Sequence, residues 1–222
     1  MRKLNILIIA VMLLSIVGTS VLVILSPDTV PVHYNAFGEP DRFGSKYEAF
    51  IWPIISILLG STVLFTIRFQ KKKDFSKNEN LLLYTCLCTL LLFTGLGFYF
   101  TVKGMVYDPA KVSEDRIDVA KICGLGIGLL LILLGNIMPK ARRNSLFGLR
   151  TKWSLSGDAV WQKSQRFGGI AAVILGTVMV ILSAFLNGPL GLILLTALLI
   201  PWVIACTAAT YYYYKQQNKS TS

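Results

Sequence analysis

Residues 122–143 read ICGLGIGLLLILLGNIMPKARR: 17 residues from Ile122 to Met138 without Asp, Glu, Lys, Arg or His, then Pro139 and the basic Lys140, Arg142 and Arg143. At about 1.5 Å rise per residue, this run covers most of the roughly 30 Å hydrocarbon core of a bilayer. One helix can satisfy all its backbone hydrogen bonds, as a bilayer interior demands. Five further charge-free segments surround it: Leu4–Leu25, Ala49–Ile67, Leu81–Val102, Ile170–Leu186 and Leu190–Tyr214. The 222-residue chain is 54% hydrophobic and only 15% charged, with a mean hydropathy of +0.62. Apolar blocks of this length, with the charges gathered between them, exclude a soluble enzyme, a disordered chain and a small disulfide scaffold. They predict an all-α integral membrane protein with six transmembrane helices. Arg2 and Lys3 look like the basic end of a signal peptide, but the apolar run is longer than an h-region and no A-x-A site follows it. The first segment is therefore expected to be a retained helix.

Charge orients these helices. Arg2 and Lys3, five basic residues in the 68–80 connection, seven in the 139–169 connection, and Lys215 and Lys219 make 16 on one side. Arg42, Lys46, Lys103, Lys111, Arg116 and Lys121 make six on the other. The positive-inside rule then places both termini in the cytoplasm. Eight of the 11 acids (Asp28, Glu39, Asp41, Glu48, Asp108, Glu114, Asp115 and Asp118) fall on the outer side. The net charge of +11 is thus a topology signal, and no direct nucleic-acid binding is expected from it. Residues 1–67 are expected to form an N-terminal two-helix unit with an extracellular loop. Residues 81–214 are expected to form a four-helix unit with the cytoplasmic 139–169 loop, and residues 215–222 a cytoplasmic tail.

The spans carry no ionisable side chain other than Cys and Tyr, which disfavours an ion-coupled pump. Pro53 and Pro201 interrupt spans, and Pro201 is expected to kink the sixth helix. There is no GxSxG elbow, Walker loop, HExxH motif or pair of carboxylates within a span, so no enzyme is predicted. Cys86, Cys88, Cys123 and Cys206 all lie in spans and the chain has one His, so no metal site and no cofactor are predicted. Ala120, Gly124 and Gly128 recur every four residues and suit close helix approach. That approach is either within the bundle or in a homo-oligomer through Gly124 and Gly128. Tyr211–Tyr214 suits an aromatic anchor at the inner interface.

Two connections carry the recognition chemistry. In the outer one, Val32-His33-Tyr34 reads as extended, while Asn35–Gly38 and Glu39-Pro40-Asp41 are turn chemistry. Such a density of special backbone residues among His33, Asn35, Gly38, Asp41, Arg42 and Lys46 marks these as candidate ligand residues. His33, near Asp41, has the chemistry to bind metal or shuttle protons, but as a single His without companion ligands it is expected to make a structural hydrogen bond that ties the loop together. In the inner connection Pro139 ends the fourth helix, and Ser156 is read as the N-cap of a short helix with Asp158 in its first turn. Val160, Trp161, Ser164 and Phe167 share one side of that helix, which is expected to lie in the interface, basic side toward headgroups. Arg150 offers a bidentate fork and Trp153 a flat apolar wall beside Asn144 and Thr151, so the four are read as a shaped pocket. Arg142 and Arg143 are read as orientation charges.

The inner motif is Gly135-Asn136-x-Met138-Pro139-Lys140, Asn144, Gly148-Leu149-Arg150-Thr151-x-Trp153-Ser154-Leu155-Ser156, Val160-Trp161 and Arg166-Phe167-x-Gly169. It resembles the signature of the SdpI family, the immunity proteins against the sporulation-delaying peptide toxin. The outer Pro31-x-His33-Tyr34-Asn35-x-x-Gly38-x-x-Asp41-Arg42-x-x-Ser45-Lys46 resembles a domain commonly found ahead of it. The family commonly has Thr-Pro-Trp where this chain has Thr151-Lys152-Trp153, and Thr-His where it has Ser164-Gln165. The resemblance implies a multi-pass protein of the bacterial plasma membrane that protects against a secreted membrane-active peptide. It also implies that toxin presence is relayed to a cytoplasmic transcription repressor.

The expected partners are therefore membrane lipids, the peptide toxin and such a repressor. The expected inner site draws on Asn136, Pro139, Lys140, Asn144, Gly148, Arg150, Thr151, Trp153, Trp161 and Arg166. The competing reading is a small envelope transporter or a lipid-modifying membrane enzyme.

Overall fold

The computed structural model describes residues 2–69, 78–108, 110, 117–144 and 147–221. Lys71, Lys72, Lys73, Lys77, Lys111, Glu114, Asp115 and Arg116, which enter the charge count above, lie outside them. The chain begins with α1 (Arg2–Leu25) and a hairpin of β1 (Thr29–Tyr34) and β2 (Pro40–Ser45). A 3-10 turn over Lys46–Phe50 leads into α2 (Ile51–Phe69). Then come α3 (Glu79–Met105), α4 (Val119–Ile137), α5 (Asp158–Leu182), α6 (Gly188–Ala197) and α7 (Leu199–Thr221). Among the described residues, six helical segments are long and apolar enough to cross a membrane, with α6 and α7 together making the sixth. The six-span helical architecture is as expected, and the antiparallel hairpin is a small sheet added to it.

Helix faces follow from spacing. The buried residues of α1 are Leu4, Ile8, Val11, Ser15, Thr19 and Val23, and those of α3 are Leu83, Cys86, Leu90, Thr94, Gly97, Thr101 and Gly104. Both recur every three to four residues, the period of a single packed stripe. The opposite faces remain apolar: Leu13, Val17, Leu58, Phe65 and Ile174 are each more than half exposed. A water-facing surface would not carry them, whereas acyl chains accept them at no cost. Leu4, Ile8, Val11, Leu83, Cys86 and Leu90 form one core, closed by Leu59, Val63, Leu64 and Ile67 of α2. Ala120, Met179 and Leu195 form a second among α4, α5 and α6. By packing, α3 joins α1 and α2.

The tightest crossing is α4 on α5, where apolar side chains give no net driving force in lipid and close backbone approach supplies the attraction. A Cβ on Gly128 would stand 2.8 Å from the Gly176 carbonyl oxygen, and one on Gly176 2.5 Å from that of Gly128. Gly135 and Gly169 mirror this, each with a hypothetical Cβ 2.6 Å from the other's carbonyl oxygen. Gly124 packs on Ser183 and Leu195. Gly124 and Gly128 are thus buried inside the chain, the within-bundle alternative of the two expected, and not a seam between copies.

Other expectations change too. The short interfacial helix and the fifth span are one continuous α5, so Val160, Trp161 and Ser164 face protein and not the apolar side of the membrane interface. Gly157, not Ser156, precedes that helix, and Ser156 belongs to a 3-10 turn over Ser154–Ser156. Residues 215–221, the expected tail, continue α7 as helix. Pro53 sits in the first turn of α2, where a missing N–H is harmless. Pro201 sits in the first turn of α7, and the sixth span breaks at Leu198 just before it.

Candidate functional site

At one end of the bundle the hairpin stands over the start of α2 and the end of α3. Its tip is made by Asn35, whose Oδ1 accepts from the N–H of Phe37 at 2.9 Å and of Glu39 at 3.0 Å. The chain then turns at Gly38 with φ +79°, a conformation open to glycine. Gly38 also donates to the Asn35 carbonyl and accepts from the Ile117 N–H at 3.0 Å. A side chain there would strike the Ile117 carbonyl. The tip is therefore stitched to the segment entering α4.

On and beside the strands, each basic side chain meets an acid. His33 Nδ1 hydrogen-bonds Asp41 Oδ1 across the strands, the tie expected from sequence. Arg42 pairs with Glu48 at 2.8 Å. Lys46 reaches Asp28 at 3.0 Å and donates to the Ser26 carbonyl at 3.2 Å. Beneath them lies a cavity of about 670 Å³, lined in part by Val30, His33, Arg42, Lys46, Trp52 and Phe100. Trp52 stacks on Phe100 with ring centres 5.7 Å apart and planes 3° from parallel. Three of the six predicted outer residues thus border one cavity, Asn35 and Gly38 shape the turn above it, and Asp41 holds His33. Sequence reading missed Asp28, Glu48, Trp52 and Phe100. The signal for Glu48 is its place six residues after Arg42, just before the helix.

At the other end, the 141–157 connection is built by hydrogen bonds to its own backbone. Asn78 at the head of α3 donates to the Arg142 carbonyl at 3.2 Å and accepts the Arg142 N–H at 2.9 Å. The indole of Trp161, buried, donates to the Ala141 carbonyl at 2.7 Å. Asn144 closes a turn by accepting the Phe147 N–H at 2.7 Å. Gly148 adopts φ +98° against the Gln165 amide, leaving room for Gln165 to bond both the N–H and the C=O of Leu149 at 2.9 Å each. Gln165 is fully buried, so this side chain acts as a piece of β-ladder for the loop. Ser154 and Thr151 exchange bonds, and the Thr151 hydroxyl donates to Thr210 of α7 at 2.9 Å.

Among the predicted inner residues, Asn144, Gly148, Thr151 and Trp161 therefore shape the loop. Asn136 returns its amide to the Ile132 carbonyl, and Pro139 packs beside Gly169. Trp153 lies 5.0 Å from Tyr211, with the Lys152 ammonium 5.3 Å over its ring. Lys140, Arg150 and Arg166 are exposed. Asn144, Thr151 and Trp153 each have partners of their own, while Arg150 is exposed. Arg143 is more than an orientation charge: it pairs with Asp158 at 2.8 Å and donates to the Leu155 carbonyl at 3.0 Å. Gln165, Asn78 and Thr210 were missed, because their partners are distant in sequence.

This architecture defines a class: a six-span membrane protein with an ion-paired hairpin at one end and a hydrogen-bonded basic connection at the other. The model of the SdpI/YfhL protein family matches residues 140–210, which hold that connection. The model of a domain of unknown function (DUF1648) matches residues 6–57, which hold the hairpin. The chain is 33% identical over 225 residues to the immunity protein SdpI of Bacillus subtilis (strain 168), covering 98% of this chain and 99% of that one. It is 41% identical over 44 residues to an uncharacterized protein of Archaeoglobus fulgidus, covering 20% of this chain and 24% of that one. No solved structure matches it. The chain belongs to the SdpI family, and it is a multi-pass protein of the bacterial plasma membrane.

Proposed function

We propose that this protein is an immunity protein that protects its cell from a secreted, membrane-active peptide toxin by binding it, without turnover. The observation that carries this reading is the end-to-end relationship to the immunity protein SdpI, which takes in both the hairpin and the basic connection. The 16-to-6 division of Lys and Arg puts the hairpin outside and the 139–169 connection inside. The toxin then meets the hairpin, where His33, Asp41, Arg42 and Lys46 offer paired charges on a turn fixed by Asn35 and Gly38. Lys140, Arg150 and Arg166, exposed at the inner face, form the surface that would hold a cytoplasmic repressor. The Gly38–Ile117 bond ties the hairpin to the segment entering α4, and the Asn78–Arg142 clamp ties the segment after α4 to the head of α3, so α4 joins the two ends, which supports a relay between them. No metal or cofactor enters this reading.

Expression of the chain in a host killed by the sporulation-delaying toxin tests it. Resistance is expected with the natural sequence, and weaker resistance with His33→Ala or Asp41→Ala at equal membrane levels. Full resistance in both variants would move the toxin contact away from the hairpin.

A further inference from the structure

The cavity under the hairpin has an opening that the immunity reading does not use. Its volume, about 670 Å³, lies in the range of roughly 300–1,000 Å³ common to ligand pockets. Ile51 and Ile54 line it and are also 53% and 51% exposed. Both sit in the first turn of α2, a membrane span, so the mouth opens sideways, at the level where acyl chains meet headgroups. The floor is the Trp52–Phe100 stack and the wall includes Val30, all apolar.

Charge says what fits above this floor. Arg42 is paired with Glu48, Lys46 with Asp28, and His33 with Asp41. The bordering cations Arg42 and Lys46 are each matched by a carboxylate and His33 hydrogen-bonds a third, so the rim offers donors and acceptors in alternation and no surplus positive charge. A strongly anionic headgroup would gain little there, because each cation already has a partner. An apolar chain below a dipolar headgroup matches both layers. We propose that this cavity is a lateral binding site for one bilayer phospholipid, its acyl chain on the Trp52–Phe100 floor and its headgroup among the His33, Arg42 and Lys46 pairs. Selection is by the chain and not by headgroup charge. The site stands independently of the immunity reading.

The test uses the full chain in detergent micelles, titrated with phosphatidylcholine brominated in mid-chain, which quenches indole fluorescence on contact. Four tryptophans contribute to the signal, so Trp52→Phe identifies the share from Trp52. Saturable quenching of that share is expected, along with a similar midpoint for brominated phosphatidylglycerol and little effect of salt. Ala49→Phe, which puts a ring into the cavity, should raise the midpoint about tenfold. Ile54→Phe sits at the exposed mouth and tests the same point with no burden on folding, which thermal melting monitors in both variants. Unchanged midpoints in both variants would overturn the site. A strong, salt-sensitive preference for phosphatidylglycerol would overturn selection by the chain. If neither lipid quenches Trp52 but the sporulation-delaying peptide alters its emission, the occupant is peptide and the lipid proposal is wrong.

Discussion

Gln165 shows how one side chain can hold a loop. Its amide satisfies both the N–H and the C=O of Leu149, across 16 positions of sequence, while wholly buried. Gln165→Leu would keep the volume and leave the Leu149 N–H without a partner, whereas the Leu149 carbonyl keeps the Ser154 hydroxyl at 2.8 Å. A loss of about 1–3 kcal/mol is expected in detergent unfolding followed by tryptophan fluorescence. Nothing local announces this pair. Turn chemistry made Asn35 and Gly38 legible in the sequence, because an Asx turn and a left-handed glycine need only neighbours. The His33–Asp41 tie was legible for the same reason, the partners being close along a hairpin. Gln165 with Leu149, Asn78 with Arg142 and Thr151 with Thr210 join different elements and leave no periodic trace.

Among the elements, the α4–α5 crossing depends on glycine as a spacer. Gly176→Val would drive a side chain into the Gly128 carbonyl, and a cost of at least about 2 kcal/mol is expected from overpacking. Gly126 also lies on α4, but a Cβ there meets nothing within 4 Å. Gly126→Ala should be neutral or stabilising by up to about 1 kcal/mol through helix propensity. Equal behaviour of the two variants would remove the spacer role. Hydroxyls in α3 divide in a parallel way. Thr85, Thr89 and Thr101 return theirs to the carbonyl one turn back, whereas the Thr94 hydroxyl is buried with no partner among the described residues. Thr94→Val keeps the shape and removes the unsatisfied group, so its thermal midpoint should match or exceed that of the natural protein. A clear fall would reveal a bond to that hydroxyl. Charge-free length made the spans legible at this scale. The fusion of the short helix with the fifth span was not, because Lys163, Arg166 and the Gly168-Gly169 pair look like a helix end. The buried positions Val160, Trp161, Ser164, Gln165, Gly168, Gly169 and Ala172 nevertheless keep one helical stripe through them.

For the whole molecule, the orientation we propose rests on the distribution of charge, and the structure decides which groups share an end. The hairpin and the Ile117 segment lie at one end, and Asn78, Arg142 and the 141–157 connection at the other. In a background without the native cysteines, Ser45→Cys should react with an impermeant maleimide on intact cells. Ser156→Cys should react only after permeabilisation. Both serines are exposed, so a failure to react reports sidedness and not burial. The reverse pattern would exchange the roles of the hairpin and the basic connection.

The central claim is protection, and survival measures it most directly. Cells of a sensitive host carrying the chain, and matched cells without it, are exposed to a graded series of the purified sporulation-delaying toxin. The predicted result is a rise in the killing concentration only in cells with the protein in their membrane, reduced by Asp41→Ala at unchanged protein level. Identical killing curves with and without the protein, at confirmed membrane expression, would contradict the immunity function.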